Sequence, residues 1–245
     1  MNTTIETIKN HRSIRNYLER EVPDEMLQEI LAAARAMPTS INGQQLSIIV
    51  VKDKAKKEAM AHLAGDQAWI AQAPVFLIFV ADYYKAHLAG EKNGLPEIIH
   101  ESVEGALVGT FDAGLAMGAA IIAAESMGLG IVPIGAVRRK PNEMIELLEL
   151  PPYTYPLVGL VVGYPADASA QKPRMPVAAL VHQETYDAAA MRDAIDEYDV
   201  TMEQYYSIRG DKVSNWSQQI AGTYKQVYFP EVYGSIKRQG FINDK

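Results

Sequence analysis

The sequence predicts a mixed α and β protein with helices on both faces of a central sheet, and three observations support this fold class. Helical patterns alternate with short apolar runs along much of the 245-residue chain, an order typical of layered α and β proteins. Residues 75–80 are apolar throughout, which indicates a strand that is covered on both faces. Residues 155–163 form a further apolar strand pattern.

The helix boundaries follow from capping signals. Thr3 and Glu6 have the spacing of a capping box, so the first helix is predicted to begin near Thr3. Pro23, followed by two acidic residues, predicts a second helix that runs to about Ala36, because proline and acids suit the first turn. Residues 38–43 have the composition of a loop.

The remaining elements follow in order along the chain. Residues 46–51 are rich in β-branched side chains and predict a strand, and a short strand and loop are predicted at 131–136. Helices are predicted at 54–64 and 141–148. Residues 190–245 hold six of the thirteen tyrosines, between Tyr198 and Tyr233, and show no core strand. They are therefore predicted to form an extension that wraps another surface, such as a partner subunit.

Residues 101–127 predict a long helix with an unusual density of glycine and alanine. A glycine costs a helix about 1 kcal/mol relative to alanine, so their number needs a reason. One reason is the close approach of another helix, including the same helix of a second subunit. The other is a crowded central helix inside one monomer, and the sequence leaves both open.

Composition excludes several classes of function. The net charge of −7 argues against coating nucleic acid, and the absence of cysteine excludes disulfides, thiolate metal sites and cysteine nucleophiles. The apolar stretch 113–124, bounded by Asp112 and Glu125, is shorter than a membrane span. The polar N-terminal residues predict a helix start rather than a signal peptide. We therefore expect a soluble, cytoplasmic protein with no nucleic-acid or membrane partner.

The familiar catalytic and metal-binding motifs are missing. The five histidines are scattered without the spacing of a zinc pair, and the sequence has neither a nucleophile elbow nor a Walker phosphate loop. Gly128-Leu129-Gly130 is followed by Ile131 rather than by a helix start, so it does not fit a dinucleotide-binding fingerprint.

Two basic clusters point instead to an anionic ligand. His11-Arg12-Ser13-Ile14-Arg15 places four hydrogen-bonding side chains within about one helical turn, and a helix start there would add backbone N–H donors. Lys172-Pro173-Arg174 is a second cluster, in a loop stiffened by proline. Together they predict a site for a phosphate-bearing cofactor, and the alternative is that both are solvated surface charges.

The order and spacing of several motifs resemble the flavin-dependent nitroreductase family, in its branch of oxygen-insensitive NAD(P)H nitroreductases and flavin oxidoreductases. The two basic clusters carry this resemblance, together with further motifs along the whole chain. These are Thr39-Ser40 with Gln44, Gly65-Asp66-Gln67, Ala124 to Gly130, Ile134-Gly135, Gly159 to Gly163, and Tyr205-Tyr206 through Arg209 to Trp216-Ser217.

The resemblance implies an α+β fold of three layers (α/β/α), with a central mixed sheet flanked by helices. It implies an FMN-containing homodimer in which two flavins lie at the subunit interface. Residues 1–189 would form the FMN-binding core, and residues 190–245 would form an arm that embraces the other subunit.

Matching positions also imply roles for individual residues at the cofactor. The FMN phosphate would be held by His11, Arg12, Ser13 and Arg174, and the flavin N1–O2 edge would face Arg15 and Lys172. Backbone groups near N5 and O4 would come from Ile134, Gly135 and Ala136. Gln67 would contact the ring region, with the alternative that it caps a loop. The neighbouring subunit would supply Thr39, Ser40 and Asn42, of which Asn42 has the alternative of being a turn residue beside Gly43.

The implied chemistry requires no side chain as an essential acid or base. Cations at the N1–O2 edge stabilise the negative charge that reduction places there, so the protein tunes a cofactor that carries the chemistry itself. Gly135 would let the main chain approach the ring edge closely.

Two segments depart from the family branch. Residues 38–45 replace a serine-rich stretch, and Asn42-Gly43-Gln44 resembles the other nitroreductase branch. Arg209 and Lys212 are the cations implied to bind the nicotinamide cofactor, but relatives that prefer NADPH carry several arginines there. Asp211 would repel a 2′-phosphate, so both NADPH and NADH remain candidate reductants.

The sequence therefore predicts an FMN-dependent oxidoreductase with a ping-pong mechanism. Hydride would pass from NAD(P)H to FMN, and two electrons would then pass to nitroaromatics, quinones, flavins or azo compounds. The alternatives are a non-catalytic flavin-binding or regulatory dimer of the same fold, and a specialised reductase of that fold.

Overall fold

The computed structural model describes residues 2–210, 215–242 and 244 of the chain. The chain divides into two compact units, one built from residues 1–169 with 231–245 and the other from residues 170–230. In chain order the helices are α1 (Thr3–Lys9), α2 (Asp24–Arg35), α3 (Lys54–Leu63), α4 (Ala68–Gln72), α5 (Tyr84–Asn93), α6 (Val103–Ser126), α7 (Pro141–Leu147), α8 (Ala190–Arg209), α9 (Trp216–Tyr224) and α10 (Val232–Arg238). The strands are β1 (Leu46–Val51), β2 (Val75–Asp82), β3 (Gly130–Ile134) and β4 (Thr154–Gly163).

The first unit contains the sheet, in the order β1-β2-β4-β3. All three neighbouring pairs are antiparallel, and β2 is completely buried at the centre, as its apolar sequence predicted. Within the described part of the chain, parallel pairing is limited to one bridge between Ser13 and Ile131. The predicted mixed sheet is mixed through this bridge.

The side chains of β2 alternate between two helical layers. Val75, Leu77 and Phe79 pack with buried residues of α2 and α6. Phe76, Ile78 and Val80 pack on the opposite face with α3, α4 and α7. This period-two alternation is what a strand between two apolar layers requires, and it confirms the α+β class with helices on both faces.

Helix α1 begins at Thr3, as the sequence predicted, but the residue that caps it differs. Asn2, not Thr3, caps α1, because its side chain accepts a hydrogen bond from the Thr4 amide at 2.8 Å. Residues 11–15 lie beyond the end of α1 and are not helical. A helix start within His11–Arg15, which would have added backbone N–H donors, is not formed, since Ile14 instead donates its amide to Ile131 of β3 at 2.9 Å.

The long helix α6 explains part of its glycine content within the chain. A Cβ atom at Gly105 would lie 2.2 Å from the carbonyl oxygen of Ile99, and one at Gly109 would lie 3.2 Å from Cβ of Ala81. Close packing against backbone inside the monomer requires glycine at position 105, whereas a side chain at position 109 would need its neighbour to shift by a few tenths of an ångström. A Cβ at Gly114 or Gly118 would meet nothing within 4 Å, so packing within the chain does not account for them.

The apolar stretch that the sequence marked as too short for a membrane span lies inside this longer helix. With 24 residues and a mean hydropathy of 1.7, α6 has the length and composition to cross a membrane, a test that core helices of globular proteins also pass. Its small residues Ala113, Ala116 and Ala120 are buried against α2 and the sheet.

The C-terminal residues belong to the first unit. The hydroxyls of Tyr155 and Ser235 are 2.7 Å apart, and Phe241 is buried in a cluster with Tyr83 and Tyr155. This part of the predicted extension thus packs on the core of its own chain.

Candidate functional site

The segment 11–15 presents two arginines from a firmly anchored backbone. Ile14 is buried and rests on Gly130, where a Cβ atom would come within 2.7 Å of the isoleucine side chain. The hydroxyl of Tyr17 donates to the carbonyl of Ile14 at 2.7 Å. Arg12 and Arg15 are exposed on either side of this anchor. The anchored backbone therefore holds two guanidinium groups where an anion can reach them.

His11 is held from α6. Its Nδ1 lies 2.6 Å from Oε1 of Glu125, and both side chains are largely shielded from solvent. The second carboxylate oxygen of Glu125 is buried and has no hydrogen-bond partner among the described residues. The ring of His11 is therefore oriented by a single short contact through Nδ1.

Arg15 lies against Trp69 of α4. Its guanidinium carbon is 5.9 Å from the centre of the indole ring, within the range of a cation–π interaction. The indole Nε1 is buried without a partner in the described part of the chain. Trp69 thus limits the directions that the Arg15 side chain can take.

Gln67 precedes α4 and closes the loop before it. Its Nε2 donates to the carbonyl of Ala64 at 2.9 Å, across Gly65 and Asp66, which both have positive φ. This is the loop-capping contact that the sequence left open as an alternative to a cofactor contact. The side chain is half-buried.

Ile134, Gly135 and Ala136 mark the point where β3 ends. Ile134 is buried, and a short 3₁₀ helix, Gly135–Arg138, begins directly after it. A Cβ at Gly135 would have one neighbour within 4 Å, the Nη2 atom of Arg138 at 3.6 Å. The backbone at Gly135 therefore leaves room for the close approach of a planar ligand, and the first N–H groups of such a helix have no intrahelical acceptor.

The loop with Thr39, Ser40 and Asn42 is a strained turn. Ile41, Asn42 and Gln44 all have left-handed backbone angles, which are uncommon for residues other than glycine. The side chain of Gln44 donates to Oδ1 of Asn42 at 2.5 Å. Asn42 thus lies in a turn next to Gly43, and its side chain accepts a hydrogen bond within that turn.

Asp112 of α6 holds this loop in place. This buried carboxylate accepts a hydrogen bond from the Ser40 amide at 3.2 Å and another from Nε2 of Gln45 at 2.6 Å. Two cavities of about 310 and 430 Å³ flank the loop, and Thr39 and Asp112 line both. The loop therefore borders open space on two sides while its backbone is fixed.

The structure connects some of the predicted site residues and separates others. Residues 11–15 are joined to β3, which leads into Gly135, and Arg15 lies against Trp69, two residues after Gln67. Asp112 precedes Glu125 by roughly three and a half helical turns, or about 20 Å. Because Asp112 holds Ser40 and Glu125 holds His11, the 39–42 loop lies far from His11 along α6 of the same chain.

The second unit contains the other predicted cations. Arg174 donates from Nη1 to the carbonyl of Lys172 at 3.0 Å, and Nζ of Lys172 lies 5.5 Å from the ring centre of Tyr206. Arg209 ends α8 and donates to the hydroxyl of Tyr205 at 3.2 Å. Lys212 lies outside the described residues.

A buried aromatic cluster supports this unit from within. Tyr198, Met202 and Tyr206 are buried, Trp216 packs against them, and the hydroxyl of Tyr198 donates to the carbonyl of Pro173 at 2.8 Å. Burial raises the pKa of the Tyr198 hydroxyl. The cluster thus fixes the backbone between Lys172 and Arg174.

Sequence reasoning missed three residues that orient the site. Asp112 entered it only as the limit of an apolar stretch. Glu125 entered it as the other limit and within the motif Ala124 to Gly130, without a role of its own, and Trp69 did not enter it at all. The available signal was that lone acids in an apolar helix are rarely buried unless they are paired.

The donor set and the open backbone at Gly135 suit a phosphorylated, planar cofactor. Exposed guanidinium groups on an anchored segment match a phosphate, and a histidine with one ring nitrogen already engaged has the other to offer. Among the described residues no group of three or more acidic or histidine side chains is arranged to hold a metal ion.

Comparisons with known proteins cover the entire chain. It is 48% identical over its full length, and over the full length of the relative, to an FMN reductase [NAD(P)H] of Bacillus subtilis. Its structure resembles that of B. megaterium NfrA2 with a TM-score of 0.98 and 50% identity, with both chains covered completely. It also resembles the NADPH:FMN oxidoreductase of Vibrio harveyi, solved in complex with NAD⁺, with a TM-score of 0.90, 34% identity and complete coverage of both chains.

Two family models, which describe the two parts of one enzyme family, both match the chain. Residues 8–164 match the nitroreductase family, and residues 172–244 match the C-terminal domain of that family. The resemblance read from the motifs is therefore confirmed, and the chain belongs to the nitroreductase family.

Proposed function

We propose that this chain is an FMN-dependent oxidoreductase that takes hydride from NAD(P)H and passes two electrons to a second substrate in a ping-pong cycle. The observation that carries the proposal is the segment 11–15, whose backbone is anchored while its arginines are exposed. Family membership and the activities named for the relatives support the same function. The acceptors are nitroaromatics, quinones, flavins or azo compounds.

The chain's contribution to the reaction is to bind and orient. FMN, when bound, supplies the hydride-accepting centre, so no side chain is needed as an essential acid or base. Arg12 offers forked donors to the phosphate, and Ser13 and His11 add further donors from the same segment. The hydrogen bond from the Ile14 amide to β3 fixes the backbone that carries these groups. Because the backbone is already ordered, less entropy is lost when the phosphate binds.

Arg15 has a different role in the proposal. Its position against Trp69 fits a cation at the N1–O2 edge of the flavin, where it favours the reduced, negatively charged cofactor. Gln67, two residues before Trp69 in sequence, offers its Oε1 to the ring region. Ile134, Gly135 and Ala136 offer backbone groups at the N5 and O4 side, where the absence of a side chain on Gly135 allows a close approach.

Residues of the second unit complete the proposed set of contacts. We assign Arg174 to the FMN phosphate, Lys172 to the N1–O2 edge, and Arg209 with Lys212 to the nicotinamide cofactor. These assignments rest on matching positions in the family. Asp211 beside Lys212 favours a test of NADH as well as NADPH, because a carboxylate repels the additional phosphate of NADPH.

We propose that the active form is a homodimer joined along α6. Leu107 and Phe111 expose 61% and 65% of their surface, on the helix whose Gly114 and Gly118 have open space beside them. Large exposed apolar side chains beside small residues are typical of an interface. The second copy would bring Thr39, Ser40 and Asn42 to the flavin, since Asp112 holds their loop about 20 Å from His11 along α6.

The domain organisation and location complete the proposal. Residues 1–189 form the FMN-binding core and residues 190–245 the C-terminal extension, whose segment 190–230 serves as the arm that reaches the partner subunit. Residues 231–242 already pack on their own core and stabilise it. The substrates are small molecules, and the place of action is the cytoplasm.

Anaerobic rapid mixing tests the function directly. The FMN-loaded protein is mixed with NADH or NADPH, and the loss of the flavin's visible absorbance is followed before an acceptor is added. The proposal expects rapid bleaching with at least one nicotinamide and full recovery of the absorbance with a quinone. A loaded protein that neither nicotinamide bleaches would instead fit the alternative of a non-catalytic flavin-binding dimer. Turnover confined to one acceptor class would fit a specialised reductase.

A further inference from the structure

Glu125 contacts His11, and the proposed function assigns no role to this contact. It is a single acid near the C-terminal end of α6, and its side chain retains only 12% of its exposure. Burying an ionised carboxylate is costly unless a charged or hydrogen-bonding partner compensates. Among the described residues, Glu125 contacts Nδ1 of His11 at 2.6 Å, so the carboxylate and the imidazole form a shielded pair.

We propose that Glu125 is a positioning residue that fixes the proton of His11 on Nδ1 and thereby directs Nε2 to the phosphate of FMN. An ionised carboxylate accepts but cannot donate, so the short contact requires Nδ1–H as the donor. The two nitrogens of an imidazole point away from one another. With Nδ1 turned into α6, Nε2 faces away from the helix.

The backbone next to His11 supports this role. Ser13 bridges to Ile131, and the Ile14 amide donates to the carbonyl of the same residue at 2.9 Å. The segment is therefore fixed two and three residues beyond His11, while Glu125 fixes the ring itself. With both restraints in place, a ligand does not have to order the His11 side chain when it binds.

The unpartnered oxygen of Glu125 adds a second argument. Oε2 is buried and accepts no hydrogen bond from the described residues, so negative charge at this site is incompletely neutralised by hydrogen bonding. A protonated imidazole compensates such a charge through Nδ1 and still donates from Nε2. A phosphate dianion beside Nε2 completes a row of alternating charge from carboxylate to imidazolium to phosphate.

The inference rests on the proposed function, because it needs FMN as the ligand. Failure of the inference and failure of the proposed function can be told apart by comparing the binding of two flavins. Riboflavin has the same ring system as FMN but no phosphate. Affinities of the apoprotein for both are measured for the wild type, for Glu125→Gln, and for Glu104→Gln, an exposed acid near the start of the same helix. We expect Glu125→Gln to weaken FMN binding about tenfold, which corresponds to the loss of one charge-assisted hydrogen bond. Its affinity for riboflavin should stay within about twofold of the wild-type value.

The other outcomes of the flavin comparison contradict either the inference about Glu125 or the proposed function. An equal loss for both flavins means that Glu125 acts only through packing, and no loss for either means that it does not orient His11; both results overturn the inference. Failure of the wild type to bind either flavin contradicts the proposed function and removes this inference with it. Glu104→Gln is expected to match the wild type for both ligands.

A spectroscopic measurement on the wild type covers the case in which Glu125→Gln does not fold. Nitrogen-15 NMR of the histidine side chains, assigned with a His11→Asn variant, reports which ring nitrogen carries the proton at neutral pH. The inference expects a proton on Nδ1 of His11 in the free protein and protons on both nitrogens with FMN bound. A proton on Nε2 with a bare Nδ1 would overturn it.

Discussion

Oδ2 of Asp112 accepts a hydrogen bond from Nε2 of Gln45 at 2.6 Å, deep in the first unit. The same carboxylate accepts the amide of Ser40. One buried acid on α6 therefore fixes both the start of β1 and the loop that the proposal sends to the flavin of the second subunit. This contact links the stability of the core to the geometry of the site.

Replacement of Asp112 by alanine is expected to destabilise the protein by about 2 to 3 kcal/mol, because it leaves buried donors without an acceptor. Urea denaturation of the FMN-free protein gives the free energy of unfolding. Glu104→Ala, on the exposed surface of the same helix, serves as the control and is expected to change it by less than about 0.5 kcal/mol. A similarly small change for Asp112→Ala would show that the contact contributes little.

Arg15→Ala is expected to make FMN harder to reduce, because it removes a positive charge beside the edge where reduction places negative charge. We expect the two-electron midpoint potential to fall by at least about 30 mV, which corresponds to roughly 1.4 kcal/mol. Redox titration of the flavin's absorbance measures it. Arg12→Ala, aimed at the phosphate, is the matched control and should shift the potential much less. Equal shifts in the two variants would argue against a special position for Arg15.

Tyr83 provides a prediction for alkaline pH. Its hydroxyl donates to the carbonyl of Gly105 at 2.7 Å, and burial, assisted by the carboxylate of Asp112, raises its pKa to about 12. Because the folded pKa lies above the unfolded value of 10.0, the stabilisation is complete below pH 10 and is lost as pH rises through about 12. Loss of the hydrogen bond in Tyr83→Phe should cost about 1 kcal/mol at pH 8.

The difference between wild type and Tyr83→Phe should then shrink as the pH rises from 10 to 12. Urea unfolding across this range measures the difference. Tyr84→Phe, a change at the partly exposed neighbouring ring, is the control. A constant difference across the range would contradict the assignment of this pH dependence to Tyr83.

Phe111→Glu is expected to prevent dimerisation, because it puts a charge into the proposed apolar contact along α6. Sedimentation equilibrium gives the mass in solution, and the variant should be a monomer that retains the helical signal of the wild type. Val50→Glu changes an apolar residue on β1 that is exposed to a lesser degree and should leave the dimer intact. A dimeric Phe111→Glu protein would place the interface elsewhere.

Local sequence signals were sufficient for most of the fold. The apolar run at residues 75–80 predicted a strand covered on both faces, and Phe76 and Leu77 indeed point into two different helical layers. Proline and acids at the start of α2 predicted its first turn correctly, because helix capping depends on neighbours in sequence.

The arrangement of the site depended on long-range contacts that no local pattern encodes. His11 is held by Glu125, and Ser40 by Asp112, partners that are far apart in sequence. The density of charge in residues 11–15 predicted an anion site, but it did not predict that Ile14 pairs with β3 and so fixes the backbone of this segment. Motif order identified the family, whereas packing decided how each side chain is oriented.

The proposed function depends most on binding of the FMN phosphate by the segment 11–15, and equilibrium titration with FMN tests this binding directly. FMN is titrated into the FMN-free wild type, into Arg12→Ala, and into Arg20→Ala, whose guanidinium stacks on Tyr164 at 3.8 Å instead. We expect saturable FMN binding by the wild type and by Arg20→Ala, and a loss of about tenfold or more for Arg12→Ala. Unchanged FMN affinity in Arg12→Ala, or no binding of FMN by the wild type, would contradict the role of the segment 11–15 in binding the phosphate.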